Sequence, residues 1–202
     1  MAGVALTSAL RAEYQDLFDT CKVAENHEAE VGRIVGRIEA NRSRYETVGV
    51  PLGIPWHVVA VIHNMEASLA FTTHLHNGDP LTARTVHVPK GRPPQGDPPF
   101  PWEVSAADAL RFDEFDQWTD WTLPGTLYKL EGYNGWGYRR NHPAVFTPYL
   151  WSYSNHYTRG KYIADGKWSD TAVSQQCGAA VILRQMVEKG TIAFVAGDAG
   201  NG

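Results

Sequence analysis

Clustered positive charge, long apolar runs and abundant cysteine are all missing from this 202-residue chain. Its formal net charge is -4 and its pI is near 6.0. A nucleic-acid or anionic-membrane surface needs clustered Lys and Arg, so neither partner is expected. The opening residues MAGVALTSALRAEYQ carry no Lys or Arg before a short apolar run and turn charged within a dozen positions. That fits neither a secretory leader nor a spanning helix, so the expectation is synthesis in the cytoplasm and release by another system. The two cysteines, Cys21 and Cys177, lie 156 positions apart in helix-like patterns and read as reduced core thiols. No GxSxG elbow, phosphate-binding loop or HExxH helix occurs, which removes the anchors for esterase, nucleotide and zincin chemistry.

What remains is a globular composition, 43% hydrophobic and 20% charged, enough for one core. No repeat or linker stands out, so the chain reads as a single domain over 1–202, with bracing helices in 1–50 and a flexible tail from 190 to 202. Leu6, Leu10, Tyr14, Leu17 and Cys21 predict an amphipathic helix from about Ala5 to Glu25. Val31, Ile34, Ile38 and Tyr45 predict a second from His27 to about Val48. Pro55 suits the first turn of a third. In that third helix Val59, Ile62, Glu66 and Leu69 fall on one stripe, which predicts an inward carboxylate at Glu66. A buried carboxylate takes a raised pKa or a dedicated partner, and a raised pKa serves a general acid. The alternative is that Glu66, close to the helix end, reaches solvent or pairs with Arg84 or His63.

Phe71, Leu75 and the alternation Thr85-Val86-His87-Val88 predict short strands around the turn Asn77-Gly78-Asp79-Pro80. The next segment, PKGRPPQGDPPFP, holds six of the twelve prolines and reads as a surface loop. Trp102 to Phe112 predicts a helix with Ser105 and Asp108 as a capping box. Thr122 predicts an N-cap with Pro124 in the first turn of a helix reaching about Gly132. Asp165-Gly166 marks a turn. Ser169 or Asp170 is the expected cap of a last helix carrying Val173, Cys177, Ala180, Leu183 and Val187, and an edge strand follows it in TIAFVAGDAGNG.

Most of the seven Trp and nine Tyr lie between Trp102 and Trp168. Sugar rings stack on such side chains, because their C–H faces are apolar and their rims hydrogen-bond. Tyr133, Asn134, Trp136, Tyr138, Trp151, Asn155 and Tyr157 are therefore the candidate sugar-binding residues, against the plainer reading of core packing. Glycoside cleavage needs a proton on the leaving oxygen and a group to manage the oxocarbenium charge. Glu66 is the candidate acid, Asp79 the second carboxylate, and Thr82 or Thr85 the water-positioning hydroxyl.

A helix ending in an inward Glu, then a small hairpin, then helices resembles the lysozyme superfamily. That group includes phage-type and goose-type lysozymes, lytic transglycosylases, chitinases and chitosanases. Asp79 and Thr85 keep a six-residue spacing similar to the Asp and Thr of phage-type enzymes, although the gap from Glu66 to Asp79 is longer than theirs. The run YNGWGY at Tyr133 to Tyr138 is similar to substrate-binding loops of the goose-type and plant chitinase branches, without the full pattern of either. HLHNGDPLTARTVHVPKGRPP, YLWSYSNHYT and SQQCGAA resemble bacterial and prophage proteins described as lysozyme-like, over about residues 50 to 185.

The resemblance implies a mainly α, α+β fold with a small antiparallel hairpin beside the cleft. It also implies a monomeric, cofactor-free and metal-free endolysin-like glycosidase acting on peptidoglycan. Three alternatives stand beside it. One is a lytic transglycosylase or chitinase/chitosanase on the same fold. The second is a non-catalytic glycan-binding module. The third is a metal-dependent hydrolase using His63, His74 and His76, which share a 25-residue window with His87 and Asp79.

Overall fold

The helix-forming segments dominate the computed structural model, which describes residues 3–195. In chain order the helices are α1 Ser8–Thr20, α2 Glu28–Ala40, α3 Arg42–Gly49, α4 Trp56–Ala67, α5 Trp102–Phe112, α6 Leu123–Asn134, α7 Gly137–Asn141, α8 Pro148–Trp151 and α9 Ala179–Glu188. The strands β1 Lys161–Ala164 and β2 Lys167–Ser169 lie between α8 and α9. The fold is thus mainly helical with one small antiparallel sheet. The chain forms two compact units, one of residues 1–35 with 120–202 and the other of residues 36–119.

In the first unit, α1 starts where the Thr7 hydroxyl accepts the Leu10 N–H at 3.2 Å. It turns Leu10, Tyr14, Leu17 and Phe18 inward and packs on α6. Thr122 caps α6 through the Gly125 N–H, with Pro124 in the first turn, as its sequence predicts. α9 packs on α8. Its N-cap is Gly178 rather than Ser169 or Asp170, because Ser169 belongs to β2 and the segment after it runs extended. β1 and β2 pair Lys161 with Ser169, Tyr162 with Trp168 and Ala164 with Lys167, with a bulge between Tyr162 and Ala164. Gly166 sits at φ +66° in the turn, a conformation a side chain would strain. Cys21 and Cys177 are free and buried. Thr191–Val195 forms no strand, and residues 196–202 of the expected tail lie outside the described ones.

In the second unit, α3 packs on α4 and α5. The helix expected from His27 to Val48 is instead two, α2 and α3, broken at Asn41, whose side chain donates to the Arg37 carbonyl. From His57 to Met65 every residue of α4 is buried, so this helix has no exposed stripe at all before its last turn. The strands expected from Phe71 to Val88 do not form. A single antiparallel bridge, Thr73 to Pro80, closes the Asn77-Gly78 turn, and the rest is loop. Ser105 and Asp108 do not cap α5. Ser105 lies in its middle and bonds His74, while Asp108 takes a two-pronged ion pair from Arg92.

His57 and His63 sit inside α4, and burial pushes the pKa of each down to about 4. An unfolded chain binds these protons near pH 6.5 and the native one does not. Stability is therefore full above pH 6.5 and falls as pH drops from 6.5 toward 4, by at most about 3 kcal/mol per histidine. Urea midpoints measured from pH 7.5 to 4.5 should fall steeply in that window. A flat profile would show that these rings are solvated in the native state.

Candidate functional site

α4 delivers Glu66 to the surface. The side chain is exposed rather than inward, a correction to the stripe reading, because a helix buried on every side leaves only its last turn for a polar group. Glu66 is the only Asp, Glu, Lys or Arg in α4. Directly after it, Ser68 and Leu69 both adopt left-handed backbone, at φ +48° and +60°, with neither a glycine. Each such residue costs on the order of 1–3 kcal/mol. The turn persists because the Ser68 and Leu69 amides bond the Asn64 and His63 carbonyls and the Leu69 side chain is buried.

Asp79 is placed otherwise than a second catalytic carboxylate requires. It is 8% exposed, and both of its oxygens are committed. Oδ2 accepts the N–H groups of Val86 and His87 at 2.8 and 3.0 Å, and Oδ1 accepts the His87 Nδ1–H at 2.6 Å. The imidazole and amide of His87 hold its carboxyl down to about 2, against the opposing push of burial. Thr85 is buried, with its hydroxyl donating to the Pro89 carbonyl at 2.5 Å and accepting the Arg92 N–H at 2.9 Å. Both side chains thus organise the proline-rich loop in place of a sheet. Thr82 is exposed.

The histidines of the same window serve packing. Nε2 of His74 faces the Ala83 carbonyl at 2.8 Å and must donate there, so Nδ1 accepts from the Ser105 hydroxyl at 2.7 Å. His63 lies 3.1 Å from the Tyr45 hydroxyl and packs against Phe71 and Trp102. His76 bonds Asp108 at 2.9 Å, and burial lowers its pKa although Asp108 works against that. Among the described residues no group of three or more His, Cys, Asp or Glu can hold a metal ion, and His63, His74 and His76 do not form the metal set that their spacing allowed.

The first unit carries a cleft of about 650 Å³ between the hairpin and the α6–α8 segment. Tyr138, Tyr149 and Tyr162 bring rings to it, and Asn134, Asn141 and Gln176 bring amides. The Asn141 amide donates to the Tyr162 hydroxyl at 3.2 Å, and the Tyr138 hydroxyl accepts the Tyr162 N–H at 3.3 Å. Behind them, His142 and Trp168 stack at 3.5 Å and secure the base of the hairpin.

Of the seven expected sugar-binding residues, Asn134 and Tyr138 line this cleft. Trp151 is fully buried core, which corrects its assignment as a sugar platform. Tyr157 is buried too, its hydroxyl donating to the Gly160 carbonyl and accepting the Ser174 N–H. Asn155 clamps backbone, accepting the Lys22 N–H and donating to the Thr20 carbonyl. Trp136 packs on Tyr128, and Tyr133 sets its ring edge toward Tyr149. Sequence reasoning passed over Asn141, Tyr162 and the hairpin, although the Asp165-Gly166 turn was a visible signal of it.

No family model, curated protein or solved structure matches this chain.

Beneath the cleft a charged network fixes α7. Glu131 of α6 is 3% exposed and takes two N–H groups of Arg139, at 3.0 and 2.8 Å, plus the Tyr14 hydroxyl at 2.6 Å. Arg139 also donates to Glu13 at 2.8 Å. Burial works against the Arg139 charge, but the bonds and charge of Glu131 outweigh it and raise its pKa. Burial first, and then the Glu131 charge, raise that of Tyr14.

Removing the Asp79 acceptor should free the loop after Thr85. In Asp79→Ala, the Val86 and His87 amides should exchange with solvent markedly faster than in the parent at pH 6, read by hydrogen exchange. Because Asp79 stays charged down to about pH 2, the parent should keep that protection to about pH 3. Equal exchange in the two proteins would show that the carboxylate does not hold the loop.

Proposed function

We propose that the protein cleaves the β-1,4 glycosidic bonds of peptidoglycan, with Glu66 as the general acid. The observation that carries this reading is the end of α4. The one carboxylate of α4 stands on the exposed last turn of a helix otherwise buried along its length, and two non-glycine residues in left-handed backbone close that turn. Strain of this kind collects where function requires a fixed geometry, and a carboxylate at a helix C-terminus opposes the helix dipole. Taken by itself, the first unit carries a tyrosine- and amide-lined cleft of a kind that suits a sugar ligand, since rings cover C–H faces while amides bond hydroxyl and acetamido groups. A lysozyme-like arrangement, a monomeric and cofactor-free enzyme, and action on the cell wall after release belong to the same reading.

The commitment of Asp79 to its loop favours a second route with the same acid. Glu66 protonates the leaving O4 as the bond to C1 breaks. The substrate's own C6 hydroxyl then attacks C1 and returns its proton to the Glu66 carboxylate, leaving a 1,6-anhydro end. This lytic transglycosylase route needs no second carboxylate, whereas hydrolysis delivers water to C1 and leaves a reducing end.

Glu66→Gln should lower turnover of purified peptidoglycan roughly 10²- to 10⁴-fold while binding persists, the loss expected on removing a general acid. Undiminished turnover would overturn the assignment. Mass spectrometry of the fragments decides the route, anhydro ends marking the transglycosylase and reducing ends the hydrolase.

A further inference from the structure

Two charged side chains line the 650 Å³ cleft. Among the described residues that line it, Lys161 and Asp165 are the only charged ones, and all the others are neutral. Neither belongs to any ion pair among the described residues. They stand at opposite ends of β1, Lys161 opening the strand and Asp165 following its last residue. Four residues of strand separate their Cα atoms by roughly 13 Å, less where the bulge shortens it. The hairpin base is fixed by the His142–Trp168 stack and the Tyr138, Tyr162 and Trp168 rings, so the two charges are held along one wall. The opposite wall, with Asn134, Asn141 and Tyr149, is neutral.

A cleft with one cation and one anion on a single edge complements a ligand that carries both signs outside its sugar rings. A fully N-acetylated glucosamine polymer carries neither sign, and its deacetylated form carries only ammonium groups. A glycan strand bearing short peptides carries carboxylates and ammonium groups on the peptide and neutral N-acetyl sugars along the strand. We infer that this cleft takes a peptide-bearing glycan strand, with its sugars against the tyrosine and amide wall, a peptide carboxylate on Lys161 and a peptide ammonium on Asp165. The inference rests on the proposed action on glycans and concerns binding by the first unit alone, where the hairpin edge would favour peptide-bearing glycan over chitin and chitosan.

Affinities measured in the Glu66→Gln protein, which leaves the ligand intact, test the assignment. Three probes are compared: a peptide-bearing tetrasaccharide from peptidoglycan, the same tetrasaccharide stripped of peptide with its freed lactyl carboxylates capped as neutral methylamides, and the N-acetylglucosamine tetramer. The peptide-bearing probe should bind roughly five- to tenfold tighter than the stripped one, as two exposed ion pairs allow, and about 0.5 M salt should erase the difference. Lys161→Met and Asp165→Asn should each reduce the preference and together abolish it, with affinity for the two neutral probes unchanged. Lys161→Arg should retain it. Equal affinity for peptide-bearing and stripped glycan, or variants that lose all three probes alike, would overturn the selectivity while leaving the glycan site standing. Failure of all three probes to bind would overturn the glycan reading and this inference with it.

Discussion

Glu131 is nearly closed off from water, and its carboxylate is met by Arg139 and Tyr14 from other helices. That constraint organises the cleft-bearing unit. An isolated helix of five residues does not hold in water, since nucleation alone outweighs the few bonds it forms. α7 is that short, yet Tyr138 and Asn141 at the cleft depend on it. The two-pronged bond from Arg139 ties α7 to α6, and the Tyr14 hydroxyl and Glu13 tie both to α1. A planar guanidinium suits this place because three of its N–H groups meet carboxylate oxygens at once, which a lysine ammonium cannot match in geometry. Desolvating such a pair is expensive, so losing either partner costs about 3–5 kcal/mol, whereas the intact pair mainly sets position.

The helices were largely legible because their caps and stripes are local. Thr122 with Pro124 marked α6 correctly, and Trp102 to Phe112 fell where α5 lies. The errors share one cause, a distant partner that outcompeted the local pattern. Ser105 and Asp108 have the spacing of a capping box, but His74 recruits the first and Arg92 with His76 the second. The alternation from Thr85 to Val88 reads as a strand, yet the Val86 and His87 amides that a ladder would use are taken by Asp79. A carboxylate that satisfies two amides competes directly with strand pairing.

Glu66 and the aromatics show a different limit. Periodicity assigns a face only when a helix has one polar side, and α4 is apolar all round until its final turn. A stripe drawn through Val59, Ile62 and Glu66 therefore carries no information on which way Glu66 points. Aromatic content raises the expectation of sugar stacking but does not say which rings reach a cleft. Trp151 is core, whereas Tyr138, one helix earlier and as buried as Tyr157, still lines the cleft, and composition is blind to that choice. The β1–β2 strands, of four and three residues, are too short for alternation to register, so only their Asp165-Gly166 turn was visible.

Each unit separates what keeps it folded from what is available for chemistry. In the first, Arg139 is committed to Glu131 and Glu13, while Lys161 and Asp165 stand outside any ion pair among the described residues. In the second, Asp79, Thr85 and the buried histidines are spent on the loop and core, and Glu66 stays at the surface. That division has a physical logic. A group on a fully packed helix inherits the rigidity of the packing at its backbone. The strain at Ser68 and Leu69 is sustainable for the same reason, since the core that buries α4 on all sides supplies the free energy to hold its end in an unfavourable turn.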